Sequence, residues 1–488
     1  MTAAGEAALE SGELRSKVRS AVIWRSGTQI FSQLLAWVST FLVMRMLPLS
    51  DYGLFAMTSS VLVLLSLLNG YSFANGAIQD KAFGTQKLRQ LFGLLIVTNV
   101  ALALVQMLLA PLVASYYNEP RITDLLRVQA LIYLTNPFLA LGYTVLSRQM
   151  DFRHQAQVNM GSALLGALTA LAGAFSGWGV WTLVAAPLAM FVSRAIGMMA
   201  AARTWVWPSF DFRGARALAD YGGIVMGGQI FWFVQTQSDI IIAGRLLGKD
   251  DLGLYTVSLF LAQIFVTKVV PPLNEVAFSA YARIQHDSTA VAAGFLKSLR
   301  VVMLLALPFC LGMAVTAEPL VRTMLGEDKA HAAPIVALLA LAMPFMTLHV
   351  LFAPATNACG RPGLATRSSI LGTLLMPATY FAGVQWGVTG LAAAWLVSYP
   401  MLTAVSAAWS LPVIGIKPRE LLTALQAPLL AALAMAAGVL LVDRALPELP
   451  QVLRLSALVT TGAAIYGGWL LVFARQRIGE VLNLVLKR

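Results

Sequence analysis

The stretch RMLPLSDYGLFAM, residues 45–57, recurs two hundred residues later as RLLGKDDLGLYTV, residues 245–257. Slightly upstream, GTQIF at 27–31 matches GGQIF at 227–231 at the same offset. Two matched pairs in the same order indicate that the chain contains two copies of one structural unit.

The composition is that of a membrane protein. Of the 488 residues, 58% are hydrophobic and 11% are charged, whereas a soluble domain has about 45–50% apolar and about 25% charged residues. An excess of this size cannot be buried in a water-soluble core. The net charge is +12, but the basic residues lie in short gaps between apolar runs, which favours a membrane topology and argues against nucleic-acid binding.

Long apolar runs follow one another along the whole chain, and a helix needs about 20 such residues to cross a bilayer. We predict fourteen spanning segments, at 20–44, 53–77, 91–116, 125–147, 158–176, 178–201, 218–244, 252–278, 298–317, 332–356, 364–384, 388–412, 422–442 and 455–474. If the gaps alternate sides, 24 of the 34 Lys and Arg residues lie on the side of the N-terminus. Because Lys and Arg accumulate on the cytoplasmic side, both termini are predicted to be cytoplasmic.

Further matches extend the repeat. PLV at 111–113 recurs at 319–321, and WGV at 178–180 recurs at 386–388, both at an offset of 208. The copies lie six segments apart, which predicts two six-helix lobes followed by two extra helices. Six is an even number, so corresponding helices cross in the same direction; such parallel repeats are typical of transporters with a cavity between the lobes.

The predicted organisation follows from these segments. It comprises a cytoplasmic tail at 1–19, a first lobe at 20–203, a cytoplasmic linker at 204–217, a second lobe at 218–412, two extra helices at 413–475 and a cytoplasmic tail at 476–488. Within it, the opening stretch is predicted to be a turn. Arg45 ends one helix, Asp51 caps the next, and Gly53 begins it.

Several stretches besides the opening pair have a familiar pattern. They are FANGAIQDK at 73–81, LSRQMDFRHQA at 146–156, FSAYARIQHD at 278–287, AEPLVRTMLGE at 317–327 and ACGRPGLATRS at 358–368. In these stretches the chain resembles the Wzx/WzxC-type polysaccharide flippases of the multidrug/oligosaccharidyl-lipid/polysaccharide exporter superfamily. The paired prolines in PPLN, 271–274, depart from the family pattern.

The resemblance implies a MATE-like, all-α polytopic fold of twelve to fourteen helices. It also implies a function: transfer of an undecaprenyl-diphosphate-linked oligosaccharide from the cytoplasmic to the periplasmic leaflet of a bacterial inner membrane. The product would enter exopolysaccharide, capsule or O-antigen assembly, with membrane lipids and polysaccharide polymerase machinery as partners. Two alternatives within the superfamily remain, a cation-coupled drug antiporter and a lipid II flippase. An enzyme is disfavoured, because the external gaps are short and carry no catalytic constellation.

Ionisable groups at membrane depth usually face a water-filled cavity or a partner, and a cation there could hold an anionic diphosphate. The predicted substrate-binding residues are Arg25, Lys268, Gln29, Gln229 and Asn274. The predicted coupling residues, for a proton or Na⁺, are Asp239 and Glu275. Cysteines and histidines have no metal-ligand spacing, so neither a metal site nor another cofactor is expected.

Each of these residues also has a structural interpretation. Arg25 could extend to the membrane surface, Lys268 and Glu275 could form an ion pair, and Asp239 could pair with Arg245. Gln29 and Gln229, at matching repeat positions, could join packed helices.

Two further features bear on the spanning helices. Lys268 lies in the inner half of the eighth segment, where Pro271 and Pro272 are predicted to break the helix. Arg194, near the end of the sixth segment, is predicted to be an interface anchor.

Overall fold

The computed structural model describes residues 32–69, 84–211, 216–447 and 449–473, and helices joined by short turns form their regular structure. The chain divides into two compact units, Met1–Gln229 and Ile230–Arg488.

Unit 1 is built of helices that run back and forth through one bundle. They are α1 (32–46), α2 (Leu49–Ser66), α3 (Thr85–Tyr117), α4 (Arg121–Gln129), α5 (Leu131–Arg148), α6 (Phe152–Phe175) and α7 (Val180–Ala202). Helix α7 packs against both α5 and α6. Phe92, Leu141, Leu146 and Met198 form part of the apolar core that joins α3, α5 and α7.

Unit 2 begins at Ile230, which lies within the helix Arg216–Leu246. Its helices are α8 (Arg216–Leu246), α9 (Lys249–Lys268), α10 (Val270–Ile284), α11 (Ser288–Val315), α12 (Ala317–Leu325), α13 (Ala333–Ala358), α14 (Gly363–Gly383), α15 (Gly387–Ile414), α16 (Pro418–Ala445) and α17 (Gln451–Phe473). A large core cluster joins α11, α13 and α16, and the rings of Phe295 and Phe352 stack within it at 5.8 Å.

Helix α11 begins where a side chain caps it. The Asp287 carboxylate accepts hydrogen bonds from the Thr289 hydroxyl and from the backbone N–H groups of Thr289 and Ala290. These donors stabilise the ionised form, so the pKa of Asp287 lies below its usual range. An Asp at this position satisfies donors that the helix itself leaves free.

Each of the fourteen predicted segments overlaps a helix among the described residues; positions 20–31 of the first, 70–77 of the second and 474 of the last lie outside them. The fourth corresponds to the pair Arg121–Arg148 and the eighth to the pair Lys249–Ile284. Eleven stretches among the described residues are long and apolar enough to cross a membrane, one of which contains both α14 and α15. Large apolar side chains face outward, as with Leu108, which is 78% exposed. The prediction of an all-α polytopic membrane protein is confirmed.

The repeat is visible in the backbone. Asn118 ends α3 with φ 54°, and Gly326, 208 positions later, ends α12 with φ 105°. Gly179 precedes α7 with φ 55°, and Gly387, again 208 positions later, precedes α15 with φ 71°. The copies differ at Thr316, where the second is interrupted so that its PLV stretch lies in the separate helix α12.

The opening stretch differs in detail from the prediction. Helix α2 begins at Leu49 rather than at Gly53, so Asp51 lies inside the first turn instead of capping it. Pro48 precedes the helix with an extended backbone and makes no side-chain cap. Asp51 still complements the positive end of the helix dipole, but it is buried, and its Oδ2 lies 3.2 Å from where a Cβ of Gly179 would be.

The predicted break in the eighth segment is present. Helix α9 ends at Lys268 and α10 begins at Val270, with Pro271 and Pro272 in its first turn. The first turn of a helix is where proline is tolerated, because the N–H groups there have no partner inside the helix. The prolines therefore start a new helix instead of disrupting the interior of an old one.

Candidate functional site

A pocket of about 400 Å³ opens within unit 1. It lies between α2, the α4–α5 corner and α7. Its lining comprises Phe55, Leu62, Val63, Ser66, Asn69, Gln129, Ile132, Tyr133, Asn136, Leu139, Leu183, Val184, Pro187, Phe191 and Arg194. A pocket of this size, apolar with a few placed polar groups, is typical of a small-molecule site. Its one charged lining residue among those described is a cation, Arg194.

Buried amides support the pocket from behind. Asn136 Nδ2 donates to Asn99 Oδ1 at 3.2 Å, and Asn99 Nδ2 donates to the Asn69 and Leu95 carbonyl oxygens at 3.1 and 2.9 Å. These bonds use both ends of the Asn99 amide and the Nδ2 group of Asn136. A buried network of this kind fixes its members rigidly, so the Asn136 side chain is held in place at the pocket wall.

A second pair of side chains continues the wall. Tyr133 donates its hydroxyl proton to Gln106 Oε1 at 3.1 Å, and Gln106 Nε2 donates to the Leu126 carbonyl at 2.8 Å. Gln106 is fully buried. The polar wall therefore extends from α3 to the corner between α4 and α5.

Gln129 is the one residue of the described lining whose buried amide is half satisfied. It is 1% exposed, and its Nε2 donates to Thr58 Oγ1 at 3.0 Å. Its Oε1 is buried and has no hydrogen-bond partner. Leaving such an atom unpaired costs about 1–3 kcal/mol.

Arg194 lies deeper than an interface anchor needs to. Helix α7 has 23 residues, and at 1.5 Å per residue Arg194 is about 12 Å from its end at Ala202. The hydrocarbon layer is about 30 Å thick, so this position falls inside it. The guanidinium lies over the Phe191 ring, 5.8 Å from its centroid. The anchor interpretation does not account for this position, whereas a pocket cation does.

The structure describes three of the five predicted substrate-binding residues, Gln229, Lys268 and Asn274. Arg25 and Gln29 lie outside the described residues. Gln229 is half-buried on α8. Asn274 donates through Nδ2 to the Val350 carbonyl at 3.1 Å, which joins α10 to α13.

Lys268 and Glu275 are both exposed, and within the described residues no hydrogen bond or ion pair connects them. The structural interpretation as an ion pair is therefore wrong. Helix α9 is 20 residues long, or about 30 Å. Lys268 is its last residue and lies at the break between α9 and α10, inside the candidate span Lys249–Ile284.

Asp239 occupies a closed polar cluster in unit 2. It is 2% exposed, and its Oδ2 accepts a hydrogen bond from the Tyr255 hydroxyl at 2.7 Å. Its Oδ1 accepts from the Ile240 N–H at 2.8 Å. The Trp395 indole N–H in turn donates to the Tyr255 oxygen at 2.7 Å. The alternative pairing with Arg245 is replaced by these bonds, which compensate the burial of a carboxylate.

Three pocket residues, Gln129, Asn136 and Arg194, were missed as site residues by sequence reasoning. A single amide in an apolar segment barely changes the average hydropathy of that segment, so it gives no signal of a site. Hydropathy also places Arg194 near the end of a predicted segment, where a cation is expected. The repeat carried a signal that could have found Arg194: the position 208 residues later is Leu402. A cation in one copy and a leucine in the other indicate different roles for the two lobes.

Two solved structures share the fold of this chain. The chain is 12% identical to the lipid II flippase MurJ in an inward closed conformation, with a TM-score of 0.77 over 93% of this chain and 100% of that one. A multidrug resistance MATE family transporter of the MOP superfamily is 15% identical, with a TM-score of 0.59 over 81% of this chain and 98% of that one. The fold is thus that of a MOP-superfamily transporter.

The sequence gives the family. Residues 42–334, more than half of the chain, match the model of the polysaccharide biosynthesis protein family, and the chain belongs to that family. The succinoglycan biosynthesis transport protein ExoT of Rhizobium meliloti is 25% identical over 459 residues, 93% of this chain and 92% of that protein. The lipopolysaccharide biosynthesis protein WzxC of Escherichia coli is 22% identical, over 85% of each chain. The predicted resemblance is confirmed.

Proposed function

We propose that this protein moves an undecaprenyl-diphosphate-linked oligosaccharide repeat unit from the cytoplasmic to the periplasmic leaflet by alternating access. The family and the transporter fold support the general function. The named relatives serve different glycans, among them succinoglycan, teichuronic acid and lipopolysaccharide. A carrier lipid common to such pathways explains how one fold serves several sugars.

The observation that carries the proposal is the charge of the unit 1 pocket. Arg194 lines it, and among its described lining residues there is no Asp or Glu. A guanidinium binds phosphate oxygens well and repels a cationic drug. The pocket therefore favours an anionic, lipid-linked substrate over the cationic substrate of a drug antiporter.

Lys268 suits an earlier step. It is exposed at the break between α9 and α10. We assign it to the first contact with the diphosphate and Arg194 to a deeper contact. Arg25, Gln29, Gln229 and Asn274 remain proposed contributors to the substrate path.

Asp239 is the proposed coupling residue, for a proton or Na⁺, with Glu275 as the second candidate. Asp239 is a buried carboxylate that accepts hydrogen bonds from the Tyr255 hydroxyl and the Ile240 N–H, and such a group responds to a bound cation. Transport by wild type and Asp239→Asn, driven in turn by a pH gradient and by a Na⁺ gradient, tests this. If each gradient drives transport by Asp239→Asn as well as it drives transport by wild type, Asp239 is not the coupling residue.

The proposed location is a bacterial inner membrane, with both termini in the cytoplasm and polysaccharide polymerase machinery as a partner. Reporter fusions at each terminus test the orientation. Periplasmic activity of either fusion contradicts it.

The function is tested by deletion of the gene in its native host. Lipid-linked oligosaccharide should accumulate on the cytoplasmic leaflet, and surface polysaccharide should be lost. Complementation with Lys268→Ala should fail, whereas the matched control Lys297→Ala should restore export. Unchanged export in the deletion strain would contradict the proposal, and lethality in a strain without surface polysaccharide would favour lipid II as the substrate.

A further inference from the structure

The chain that follows α7, residues 203–211, crosses the start of α3 and is here called the strap. It has no regular secondary structure of its own. The Ser209 N–H donates to the Arg89 carbonyl oxygen at 2.9 Å, and Arg89 Nε donates to the Trp207 carbonyl oxygen at 3.0 Å. Backbone and side chain of one α3 residue therefore both hold the strap in place.

The contact between the strap and α3 is closest at Gly93. A Cβ atom at this position would overlap the carbonyl group of Ser209, so glycine lets the two backbones approach. A further hydrogen bond secures the end of the strap, from Gln90 Nε2 to the Asp211 carbonyl oxygen at 3.0 Å. The predicted inter-lobe linker thus starts as a fixed part of unit 1.

The side chains of the strap alternate between two directions. Thr204 and Val206 are half-buried, and Val206 packs against the core of α3, α5 and α7. Trp205 and Trp207 are 80% and 83% exposed, and Phe210 is exposed as well. Successive side chains of an extended chain face opposite sides, so the two indole rings share one outward face.

The strap lies at the depth where hydrocarbon meets the lipid headgroups. Helix α3 has 33 residues and is about 50 Å long, whereas the hydrocarbon layer is about 30 Å thick, which leaves about 10 Å at each end of a centred helix. The strap crosses α3 between Arg89 and Gly93, about 6–12 Å from its first residue. Tryptophan is enriched at this depth, since its ring is apolar and its N–H group polar.

Exposed cations lie at the same end of the bundle. They are Arg203 in the strap, Lys87 in the first turn of α3, Arg148 at the end of α5 and Arg153 at the start of α6. The apolar core beside them contains residues from these same helix ends. The carboxylates described there are Asp151 and Asp211. Cations are thus in excess, which complements an anionic surface.

We propose that the strap is a docking surface for anionic phospholipids of the leaflet that it faces: Trp205 and Trp207 lie between the headgroups, and Arg203 binds a lipid phosphate. A guanidinium binds phosphate oxygens through paired hydrogen bonds. The surface is separate from the unit 1 pocket, whose described lining contains no residue of the strap. The proposal therefore goes beyond the transported substrate and concerns the surrounding bilayer.

The test uses the full-length protein in vesicles of phosphatidylcholine with a minor fraction of phosphatidylglycerol. The same fraction of lipid carries brominated acyl chains in every sample, either on phosphatidylglycerol or on phosphatidylcholine, and bromine quenches tryptophan on contact. The chain has 11 tryptophans, so the strap signal is the difference between wild type and the double variant Trp205→Phe, Trp207→Phe. Brominated phosphatidylglycerol should quench that signal about fivefold more strongly, the enrichment expected from one basic residue near the surface.

Two pairs of variants separate the charge from the position of the strap. Arg203→Asn should abolish the preference for phosphatidylglycerol, and Arg203→Lys should retain it. Arg203 has φ 48°, a conformation that asparagine tolerates. Gly93→Ala should displace the strap and reduce the preference, whereas Gly161→Ala should not, because nothing lies within 4 Å of a Cβ at Gly161.

Trp386 is the internal control. It is 75% exposed, and the surrounding stretch 368–416 contains no Lys or Arg. Its signal, the difference between wild type and Trp386→Phe, should be quenched equally by the two brominated lipids.

Two results would overturn the proposal. A strap signal that neither brominated lipid quenches would mean that protein, not lipid, covers the two rings. Equal quenching by the two lipids would mean that the surface does not select anionic headgroups. If Gly93→Ala does not fold, the comparison of Arg203→Asn with Arg203→Lys still decides between these results and the expected one.

Discussion

The same helix face is open in unit 1 and filled in unit 2. On α7, Pro187, Phe191 and Arg194 line the pocket. The residues 208 positions later on α15 are Trp395, Tyr399 and Leu402, all of them buried. A proline has become a tryptophan, and the cation has become a leucine. Large side chains in unit 2 thus fill the space that corresponds to the pocket in unit 1.

Near the start of each unit, polar groups are present in unit 2 and missing at the corresponding positions of unit 1. At the repeat offset of 200, Ser39 corresponds to Asp239, and Phe55 corresponds to Tyr255. Ser39 bonds only to the Ala167 carbonyl, and Phe55 has no hydroxyl to offer. The carboxylate, the hydroxyl and the indole that form the unit 2 cluster are therefore each absent from unit 1.

The two units therefore share a helix framework, whereas the side chains inside them have diverged. In unit 1, the Arg194 cation and the partly hydrogen-bonded amides of Gln129 and Asn136 line a pocket, an arrangement that suits a ligand. Unit 2 has a carboxylate enclosed by aromatic rings, which is an arrangement for stability and for a small ion.

The largest expected effect comes from removing the Trp395 side chain, which fills unit 2. Trp395→Ala should lower the free energy of unfolding by about 3–5 kcal/mol, because it creates a cavity and removes the donor to Tyr255. Pro187→Ala, at the corresponding place in unit 1, should cost nothing or stabilise α7, since proline inside a helix is unfavourable. Thermal unfolding of the purified proteins measures both. An equal loss of stability in the two variants would mean that the α15 face of unit 2 is no better packed than the α7 face of unit 1.

The next effect concerns the hydrogen bonds of the unit 2 cluster. Tyr255→Phe removes the donor to Asp239 and should cost about 1.5–3 kcal/mol, the range for a bond to a charged group. Tyr399→Phe is the control, because its ring stacks on Trp395 and its hydroxyl has no hydrogen bond in the described chain. Chemical denaturation of both variants compares them, and an equally stable Tyr255→Phe protein would contradict the assigned bonding.

The smallest effect separates the two glycines that precede α7 and α15. Alanine at Gly179 or Gly387 should cost about 1–3 kcal/mol, because both have a positive φ that favours glycine. Gly179→Ala should cost more, since its Cβ would lie 3.2 Å from Asp51 Oδ2, whereas nothing lies within 4 Å of a Cβ at Gly387. The reverse order of unfolding temperatures would mean that Asp51 does not hold the start of α7.

Sequence predicted the framework well because the physical signal for it is spread over many residues. About 20 apolar residues are needed for each spanning helix, so one misjudged residue does not erase a segment. Helix starts were less certain: α2 begins four residues before Gly53 because Pro48 sets the start, an effect of one residue.

The pocket could not be predicted in the same way. Gln129 and Asn136 are single amides in apolar runs, and their meaning depends on which partners, Thr58 and Asn99, the fold brings to them. The exposure of Lys268 likewise depends on tertiary packing. Comparing the two copies position by position would have given the best prediction of the site from sequence, above all at Pro187 and its counterpart Trp395.

The central claim is that unit 1 carries lipid-linked oligosaccharide in its open pocket, and Pro187→Trp tests it most directly by importing the residue that fills unit 2. The measurement is the fraction of fluorescent lipid-linked oligosaccharide that a membrane-impermeant quencher reaches in proteoliposomes. Wild type and the outward-facing control Leu134→Trp, a residue 41% exposed, should both move the lipid. Pro187→Trp should keep its unfolding temperature and lose transport; transport at the wild-type rate in that variant would contradict the account.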